Sequence, residues 1–345
     1  MNKPLISIIV PNFNGEKYIE PCLTSVLKSQ YPNFELLVVD DGSTDSSVKI
    51  INRFKNTDKR VTLVLNSKNV GLTKSRNKAI KMAKGDIVIF LDNDTQVKKD
   101  WMEHLVGVLY SSDRIGAAQS KLVDYENRKI LQHAGLKLIS HTAWGVPIAH
   151  KKKVKSYQIS EPIIALGAAL AIKKDALKAV GSFDEKLVHY TDDLDFSWRV
   201  WIAGYKIMSC PKSIVYHWSK GVESTRIEGE NLSKVYFHLC KNSLRSITKN
   251  YKVGNAIKYL LTSIFINITR AFLVLFKRKD SSALSGTLKG IGWYLINIRD
   301  TLLERKKVQK TRLFTDRKII KSAMVEDSII EVYRKHFSQT HLLNI

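Results

Sequence analysis

Cysteine is scarce in this chain: it has three, Cys22, Cys210 and Cys240, and they lie far apart. No pair has the short spacing of a metal site, and three cysteines supply no disulfide framework of the kind that holds small secreted domains together. The first residues also lack the pattern of a secretory signal, because their apolar run is short and stops at Pro11-Asn12. These absences predict a protein of a reducing cytoplasm.

Acidic residues are also few relative to basic ones. The chain has 32 Asp and Glu against 56 Lys and Arg, a formal net charge of +24 over 345 residues. Residues 231–345 hold 22 Lys and Arg but 7 Asp and Glu, so this last third carries +15 of that charge. Local basicity of this strength predicts a polyanionic partner: nucleic acid, an anionic membrane surface or a phosphorylated substrate. Internal repeats and low-complexity linkers are missing, which fits one large domain or a domain with an extension.

Short apolar runs alternate with helical patterns in the N-terminal third. Four runs read as buried strands: Leu5–Val10, Phe34–Val39, Val61–Leu65 and Ile87–Leu91. The segments between them carry apolar residues at helical spacing, and Ser43 is the predicted cap of the second helix. This alternation predicts an α/β fold: a Rossmann-like, mostly parallel sheet with helices on both faces.

Polar residues follow every one of these strands. They are Pro11-Asn12, Asp40-Asp41, Asn66 and Asp92-Asn93-Asp94. Loops are often punctuated by such residues, but ligands bind open α/β sheets at the carboxyl ends of their strands. Four polar ends, two of them with paired acids, favour a ligand site on so basic a protein.

The triplet Asp92-Asn93-Asp94 follows a strand. Its two carboxylates are therefore placed to coordinate a hard divalent cation and, through that cation, to orient a diphosphate. Such a triplet is weak alone, and Asp193-Leu194-Asp195 is a second one. Crowded carboxylates raise one another's pKa, so the cluster at residues 192–195 predicts a general base, with Asp193 as the candidate. The same acids also suit a helix N-terminus, and the residues alone leave both interpretations open.

Further residues are candidates for binding. Asp40 and Asp41 with Asn12 have the donors and acceptors to recognise a nucleoside. Lys74 and Arg76 lie near the start of a predicted helix and are candidates for holding phosphate or closing over a donor, or are solvated cations. His217 is a candidate metal ligand, although a lone histidine is more often structural.

The last third reads as helical. The run at residues 256–276 is the most apolar of the chain, but it contains Lys258 and Arg270, and Lys277-Arg278-Lys279 follows it. Two internal charges disfavour a spanning helix. An interfacial helix with a basic border is favoured over a helix packed on the domain, and residues 284–320 repeat the pattern.

These residues together resemble the family 2 glycosyltransferases, which have the GT-A fold. The ordered matches are Ser7–Asn14, Val38–Asp45, Gly71–Asn77, Phe90–Asp94, Gly167–Leu170 and Asp192–Asp195. They cover residues 5 to about 225. The resemblance implies a domain at residues 1–230, with a nucleotide-sugar half at 1–115 and an acceptor half at 116–230. A helical, basic, membrane-associating extension follows at 231–345.

The resemblance also implies roles. The residues expected to bind the nucleotide-sugar are Pro11, Asn12, Asn14, Asp40, Asp41, Lys74, Arg76, Asp92, Asn93 and Gly167. Asp94, with Asp92 and His217, would hold Mn²⁺ or Mg²⁺. Asp193 would be the catalytic base, with Asp192 beside it. Asp192 stands where the family usually has Glu, which puts its contact in question.

The implied activity is inverting transfer of a single sugar from a nucleotide diphosphate-sugar to a lipid-linked or glycan acceptor in cell-surface polysaccharide assembly. A Gln-x-x-Arg-Trp motif does not follow the acidic cluster, which disfavours a processive synthase. The residues after 225 resemble the tails of rhamnosyltransferase-like enzymes, and the expected location is the cytoplasmic face of the membrane.

Three rival functions stay open at this point. A nucleotidyltransferase would carry a glycine-rich basic signature after the first strand, where this chain has Pro11–Glu16. A nucleic-acid-binding protein is favoured by charge alone, without a recognisable motif, so no nucleic-acid partner is expected. A binding module without activity is disfavoured because all the carboxylates are present.

Overall fold

The computed structural model describes residues 3–165, 167–188, 190–218, 232–326 and 331. Its N-terminal elements are β1 (Ile6–Asn12), α1 (Ile19–Leu27), β2 (Phe34–Asp40), α2 (Ser47–Thr57), β3 (Val61–Leu65), α3 (Leu72–Met82), β4 (Ile87–Leu91), β5 (Thr95–Val97) and α4 (Trp101–Leu109). Its middle elements are β6 (Ile115–Asp124), β7 (Leu131–His133), β8 (Leu136–Ile139), β9 (Gly145–Pro147), a 3₁₀ turn (Val154–Ser156), β10 (Ala169–Lys173), α5 (Lys174–Val180), α6 (Asp192–Ile202) and β11 (Lys206–His217). Its C-terminal elements are α7 (Leu232–Asn250), α8 (Val253–Arg278), α9 (Ser282–Ile296), α10 (Ile298–Lys310), α11 (Asp316–Ala323) and β12 (Met324–Val325).

The large sheet has the strand order β3-β2-β1-β4-β10-β6-β11-β5, with β7 paired to β6. The first four strands are parallel, as the apolar runs predicted. β10 is antiparallel to both of its neighbours, so the sheet is mixed at its centre. The register of β1 and β2 places Asn12 opposite Asp40, which brings two of the polar strand ends to one edge.

Two apolar layers cover the sheet. Alternate residues of β1 face opposite sides: Ile8 packs in the core that contains α1 and α4, and Ile9 in the core that contains α3, α5 and α6. A strand buried on both faces needs apolar residues throughout, which is why β1 and β4 read as continuous runs. The predicted α/β fold with helices on both faces is confirmed.

Most predicted elements lie within two residues of their observed bounds, and Ile87–Leu91 matches fully. The predicted cap of the second helix is wrong. α2 begins at Ser47, and Ser43 lies before it, where its hydroxyl donates to Asp40 Oδ2 at 2.7 Å. Because the Ser43 hydroxyl is hydrogen-bonded to the aspartate that ends β2, Ser43 stabilises the turn after β2 and does not cap the helix.

The C-terminal helices pack on the catalytic core. Tyr251, which follows α7, lies edge-on to Trp198 of α6 with 4.6 Å between ring centroids. The chain then returns to add β12 to a small sheet beside β8, with β9 on the other side of β8. The predicted boundary at residues 230 and 231 lies outside the described residues, and the division into two domains stays a prediction.

The basic face of α7 does not face solvent. Lys241, Arg245 and Lys249 are all buried. Arg245 and Lys249 pair with acids of the catalytic core, so part of the +15 of the last third is neutralised inside the protein. The sequence predicted a polyanionic partner from total charge, but the partners of these two cations within the protein are Asp184, Asp195 and Asp300.

α8 presents apolar residues outward. Six of them share one stripe at spacings of four and seven residues, and we call this set the apolar stripe: Val253, Ile257, Leu261, Phe265, Phe272 and Phe276. Each is exposed, Leu261 to 65% and Phe265 to 67%. Of the helices in the described ranges, this one is long and apolar enough to cross a membrane, with a mean hydropathy of 1.8 in its most apolar window, 28% of which is buried.

Candidate active site

Three side chains at the sheet edge form a candidate metal centre. Asp92 and Asp94 follow β4, and His217 ends β11, which pairs antiparallel with β5 so that His217 lies opposite Thr95. One ligand atom of each of the three residues lies within 4.8 Å of the others. The pairing of β5 with β11 therefore brings the late histidine to the acidic triplet.

Gln132 fixes the orientation of His217. Its amide Nε2 donates to the His217 backbone oxygen at 2.7 Å, and its Oε1 lies 2.8 Å from Nδ1 of the ring. Since Oε1 accepts, Nδ1 carries the proton and Nε2 faces Asp94 at 3.2 Å. Burial lowers the pKa of His217, but the hydrogen bond and charge of Asp94 outweigh it and raise the pKa above its usual value.

These residues fit a divalent cation. Two carboxylates and an imidazole whose far nitrogen is held by a second residue are a donor set suited to Mn²⁺ or Mg²⁺. All three were candidate metal ligands in the sequence, and their role as ligands stays a prediction. The sequence did not predict Gln132, because a glutamine in a short strand carries no signal until β7 is seen beside β6.

The predicted nucleoside-binding residues form one hydrogen-bonded group. Asn12 Nδ2 donates to Asp40 Oδ2 at 2.9 Å, and Asn93 Nδ2 donates to Asn12 Oδ1 at 2.7 Å. Pro11 precedes Asn12 in β1, and Asn14 Oδ1 accepts from the Thr44 backbone N–H at 2.8 Å. The ends of β1 and β2 and the acidic triplet are thus joined by their own side chains.

Asp41 holds the loop that leads into α3. Its Oδ1 accepts from Asn66 Nδ2 at 2.8 Å and Val70 N at 3.0 Å, and its Oδ2 accepts from Gly71 N at 2.8 Å. Gly71 has φ +95°, a conformation that favours glycine. Lys74, one turn later, is exposed on α3, and its phosphate contact stays a prediction.

Arg76 joins the metal-side acids to the acidic cluster. Its guanidinium is buried, with Nη2 at 2.9 Å from Asp92 Oδ1 and Nη1 at 3.4 Å from Asp192 Oδ2. The phosphate contact of Arg76 stays a prediction, and the observed partners of the guanidinium are these two carboxylates. A Cβ on Gly167 would lie 2.5 Å from Nη1, so only glycine leaves room there.

The acidic cluster opens α6 and divides by burial. Asp192 and Asp195 are buried, whereas Asp193 is half-buried. Asp193 Oδ2 accepts from the Gly167 N–H at 3.2 Å, and its Oδ1 accepts from the Leu194 N–H at 2.8 Å. Asp193 is therefore the acid of the cluster that can meet an incoming group.

The pKa values of Asp192 and Asp193 are raised. Burial and the charge of Asp193 raise the pKa of Asp192 to about 7, although Arg76 opposes them. Burial also raises the pKa of Asp193, against Arg76 and two backbone hydrogen bonds. A carboxylate whose pKa is raised accepts another group's proton more readily than a surface aspartate does.

Asp195 has a different environment. It is paired with Arg199 and Lys249, each at 3.0 Å, and it accepts from Asn250 Nδ2 at 2.9 Å. Burial raises its pKa, but the two cations outweigh burial and lower it. Asp195 is therefore held by buried side-chain partners, and the accessible acid of the cluster is Asp193.

The sheet and the site at its edge define the class of protein, a glycosyltransferase with the GT-A fold. TarS of Staphylococcus aureus, residues 1–349 in complex with UDP-GlcNAc, has a TM-score of 0.58 at 17% identity, over 89% of this chain and 90% of that one. The mannosyltransferase PcManGT of Pyrobaculum calidifontis, in complex with GDP-Man and Mn²⁺, has a TM-score of 0.53 at 18% identity, over 90% and 86%. Identities this low establish the fold alone.

The family profile described as Glycosyl transferase family 2 matches residues 7–180, half of the chain. The chain belongs to this family. An uncharacterized glycosyltransferase of Haemophilus influenzae is 45% identical over 103 residues, 30% of this chain and 41% of the relative. The putative teichuronic acid biosynthesis glycosyltransferase TuaG of Bacillus subtilis is 42% identical over 101 residues, 29% and 40%. The matched segments thus span about two fifths of these relatives.

Proposed function

We propose that this glycosyltransferase moves a single sugar, with inversion, from a nucleotide diphosphate-sugar to a lipid-linked or glycan acceptor in cell-surface polysaccharide assembly. The observation that carries the proposal is one connected site: the Asp92, Asp94 and His217 cluster, joined through Arg76 to the acidic cluster of α6. A metal-side half for the donor and a carboxylate half for the acceptor are what such a transfer needs.

The donor lies at the edge formed by β1, β2 and β4. Asn12, Asp40 and Asn93 carry the hydrogen-bonding groups for the nucleoside. Asp92, Asp94 and His217 hold Mn²⁺ or Mg²⁺, which supplies positive charge to the leaving diphosphate when bound. The PcManGT structure contains GDP-Man and Mn²⁺, which supports a nucleotide-sugar and a divalent cation here.

The acceptor meets Asp193. As the acceptor oxygen bonds to the anomeric carbon, the bond from that carbon to the diphosphate oxygen breaks, and the hydroxyl proton passes to a carboxylate oxygen of Asp193. Each of these oxygens accepts one backbone hydrogen bond and keeps a second lone pair. A single displacement on the face opposite the leaving group inverts the configuration.

The proposed place of action is the cytoplasmic face of an anionic membrane, with the apolar stripe of α8 against the lipid. Residues 252–299 hold eight Lys and Arg and one acid, Asp280. Lys258 is exposed beside the stripe, and Lys277, Arg278 and Lys279 are exposed at its end. An exposed apolar stripe bordered by cations suits a helix that lies in the interface of an anionic bilayer. The name of the TuaG relative, which concerns teichuronic acid, supports an acceptor at the cell envelope.

A nucleotidyltransferase also places a metal on an α/β sheet, but the family match disfavours that function. It would release pyrophosphate, whereas the proposed transfer releases a nucleoside diphosphate. Identification of the released product by phosphorus NMR separates the two.

The experiment that tests the proposal is a thermal-shift panel of UDP, GDP, dTDP and CDP, each with and without Mn²⁺. A ligand that binds the folded state alone raises the melting temperature. We expect one diphosphate to raise it in the presence of Mn²⁺. A cooperatively melting protein that none of the four stabilises would contradict the proposed donor site.

A further inference from the structure

The segment that leads to the base has no regular secondary structure of its own in the part that the structure describes. Residues 181–191 connect α5 to α6 and contain no helix or strand among the residues described there. Tyr190, two positions before Asp192, has φ +76°, in the left-handed region that a bulky side chain rarely adopts. Such a conformation persists when surrounding contacts fix it. Those contacts come from outside the segment.

Helix α7 holds the start of the segment. Lys241 Nζ donates to the Lys186 backbone oxygen at 2.6 Å. Arg245 binds both oxygens of Asp184, with Nε at 2.8 Å and Nη2 at 3.1 Å. A bidentate pair of this kind fixes orientation as well as distance.

The same helix also holds the first turn of α6, which follows the segment. Lys249 Nζ lies 3.0 Å from Asp195 Oδ2 and also pairs with Asp184, so one ammonium group joins the segment to α6. Asn250 adds a hydrogen bond to Asp195 Oδ1 at 2.9 Å. Asp193 lies between these anchor points, two residues before Asp195.

We infer that α7 is a positioning element of the active site, and that Lys241, Arg245 and Lys249 are positioning residues that set the place of Asp193. Their burial and their partners within the chain separate this role from binding of an external polyanion. The inference rests on the proposed function, in which Asp193 is the base. It assigns a task in the reaction to a helix that lies beyond the matched family region, residues 7–180.

Lys241→Met is the most informative variant. Burial and the neighbouring Arg245 lower the pKa of Lys241 to about 8, with Asp184 opposing, so its charge is costly inside the protein. Its removal relieves that cost but leaves the Lys186 carbonyl without this donor, so we expect a small change in the melting temperature. A shift of the base by about 1 Å can cost up to about 100-fold in rate. We expect kcat to fall at least tenfold, with the donor KM and calorimetric binding of the donor diphosphate unchanged.

The matched control is Lys234→Met, which removes an exposed lysine from the same helix. We expect it to behave as the unmodified protein, and Lys241→Arg to restore part of the lost rate. Lys249→Met is the second variant, since Asp184 keeps Arg245 and Asp195 keeps Arg199. It should also lower kcat without weakening donor binding.

Two results would overturn the inference. One is an unchanged kcat in both Lys241→Met and Lys249→Met. The other is a parallel fall of kcat, donor binding and melting temperature, which a merely structural role would produce. Asp193→Asn, assayed beside them, separates this inference from the proposed function: if that variant transfers sugar normally, the base assignment has failed, whatever α7 does.

Discussion

Asp94 and His217 lie far apart in the sequence, yet Oδ1 of the aspartate is 3.2 Å from Nε2 of the histidine. The contact depends on the pairing of β5 with β11, which no local pattern in the sequence reveals. It places a nitrogen ligand beside two carboxylates, and Gln132 turns that nitrogen toward them.

Gln132 is therefore expected to tune the metal site without touching the metal. A residue that holds a ligand from behind typically contributes about 10–100-fold in metal affinity. We predict that Gln132→Ala weakens Mn²⁺ binding by that factor in a calorimetric titration, whereas Gln158→Ala, at an exposed glutamine, has no effect. Equal Mn²⁺ affinity in both variants would argue against His217 as a ligand.

Gly167 is expected to tolerate no side chain. In Gly167→Ala the new Cβ would lie 2.5 Å from Arg76 Nη1, and the two ion pairs of Arg76 leave the guanidinium no room to move. We predict a loss of about 1–3 kcal/mol in the free energy of unfolding and a loss of transfer. Gly107→Ala is the control. Apart from the adjoining backbone of its own helix, no atom of the described residues lies within 4 Å of a Cβ added at Gly107, so this variant should be stable. A fully active Gly167→Ala enzyme would show that Arg76 has no role in the site.

Transfer should fail on the acid side of neutrality. Burial raises the pKa of Asp193 above its usual 3.8, so the base takes up a proton earlier than a surface aspartate as pH falls. We predict that kcat declines as pH drops, with a midpoint above pH 3.8. Donor binding measured over the same pH range is the control, because it separates a loss of donor affinity from a loss of the chemical step. A midpoint at or below that value would contradict the environment described for Asp193.

The raised pKa of Asp192 should make the stability of the fold depend on pH. The folded-state pKa of Asp192, about 7, exceeds the usual 3.8, so between these values the folded protein holds a proton that the unfolded chain has released. The contribution of this group to the free energy of unfolding therefore falls as pH rises through that window. Asp192→Asn should reduce this slope in urea unfolding at several pH values, and an unchanged slope would count against the raised pKa.

The apolar stripe should bind anionic vesicles. We predict that the protein sediments with phosphatidylglycerol vesicles and that Leu261→Glu with Phe265→Glu abolishes this, while transfer to a soluble acceptor continues. Ile159→Glu, at an apolar residue 70% exposed elsewhere, is the control. Unchanged vesicle binding would refute the membrane contact, and a loss of dimers instead would identify the stripe as a surface between two copies. Resistance to alkaline carbonate would favour a spanning helix.

The residues at the strand ends could be predicted from the sequence because parallel strands bring their carboxyl ends to one edge. The apolar runs of β1 and β4 located that edge, and Asn12, Asp40 and Asn93 meet there. The resemblance to a known family then ordered the later pieces, including Asp193 and His217.

Contacts between distant segments could not be predicted in the same way. The buried state of Lys241, Arg245 and Lys249 depends on Asp184 and Asp195, and helical periodicity cannot tell a buried ionic face from a solvated one. The ion pairs of Arg76 could not be predicted either, because a cation near a helix start suits a phosphate ligand or a solvated side chain, whereas its two carboxylate partners depend on tertiary packing.

The most direct test of the account is a comparison of Asp193→Asn with the unmodified enzyme. The substitution keeps the size of the side chain and removes its ability to accept a proton. We predict that the variant binds the donor diphosphate with Mn²⁺ at unchanged affinity in calorimetry and loses at least about 100-fold in transfer, within the usual contribution of a general base. Transfer at the normal rate by a variant that binds its donor normally would contradict the account.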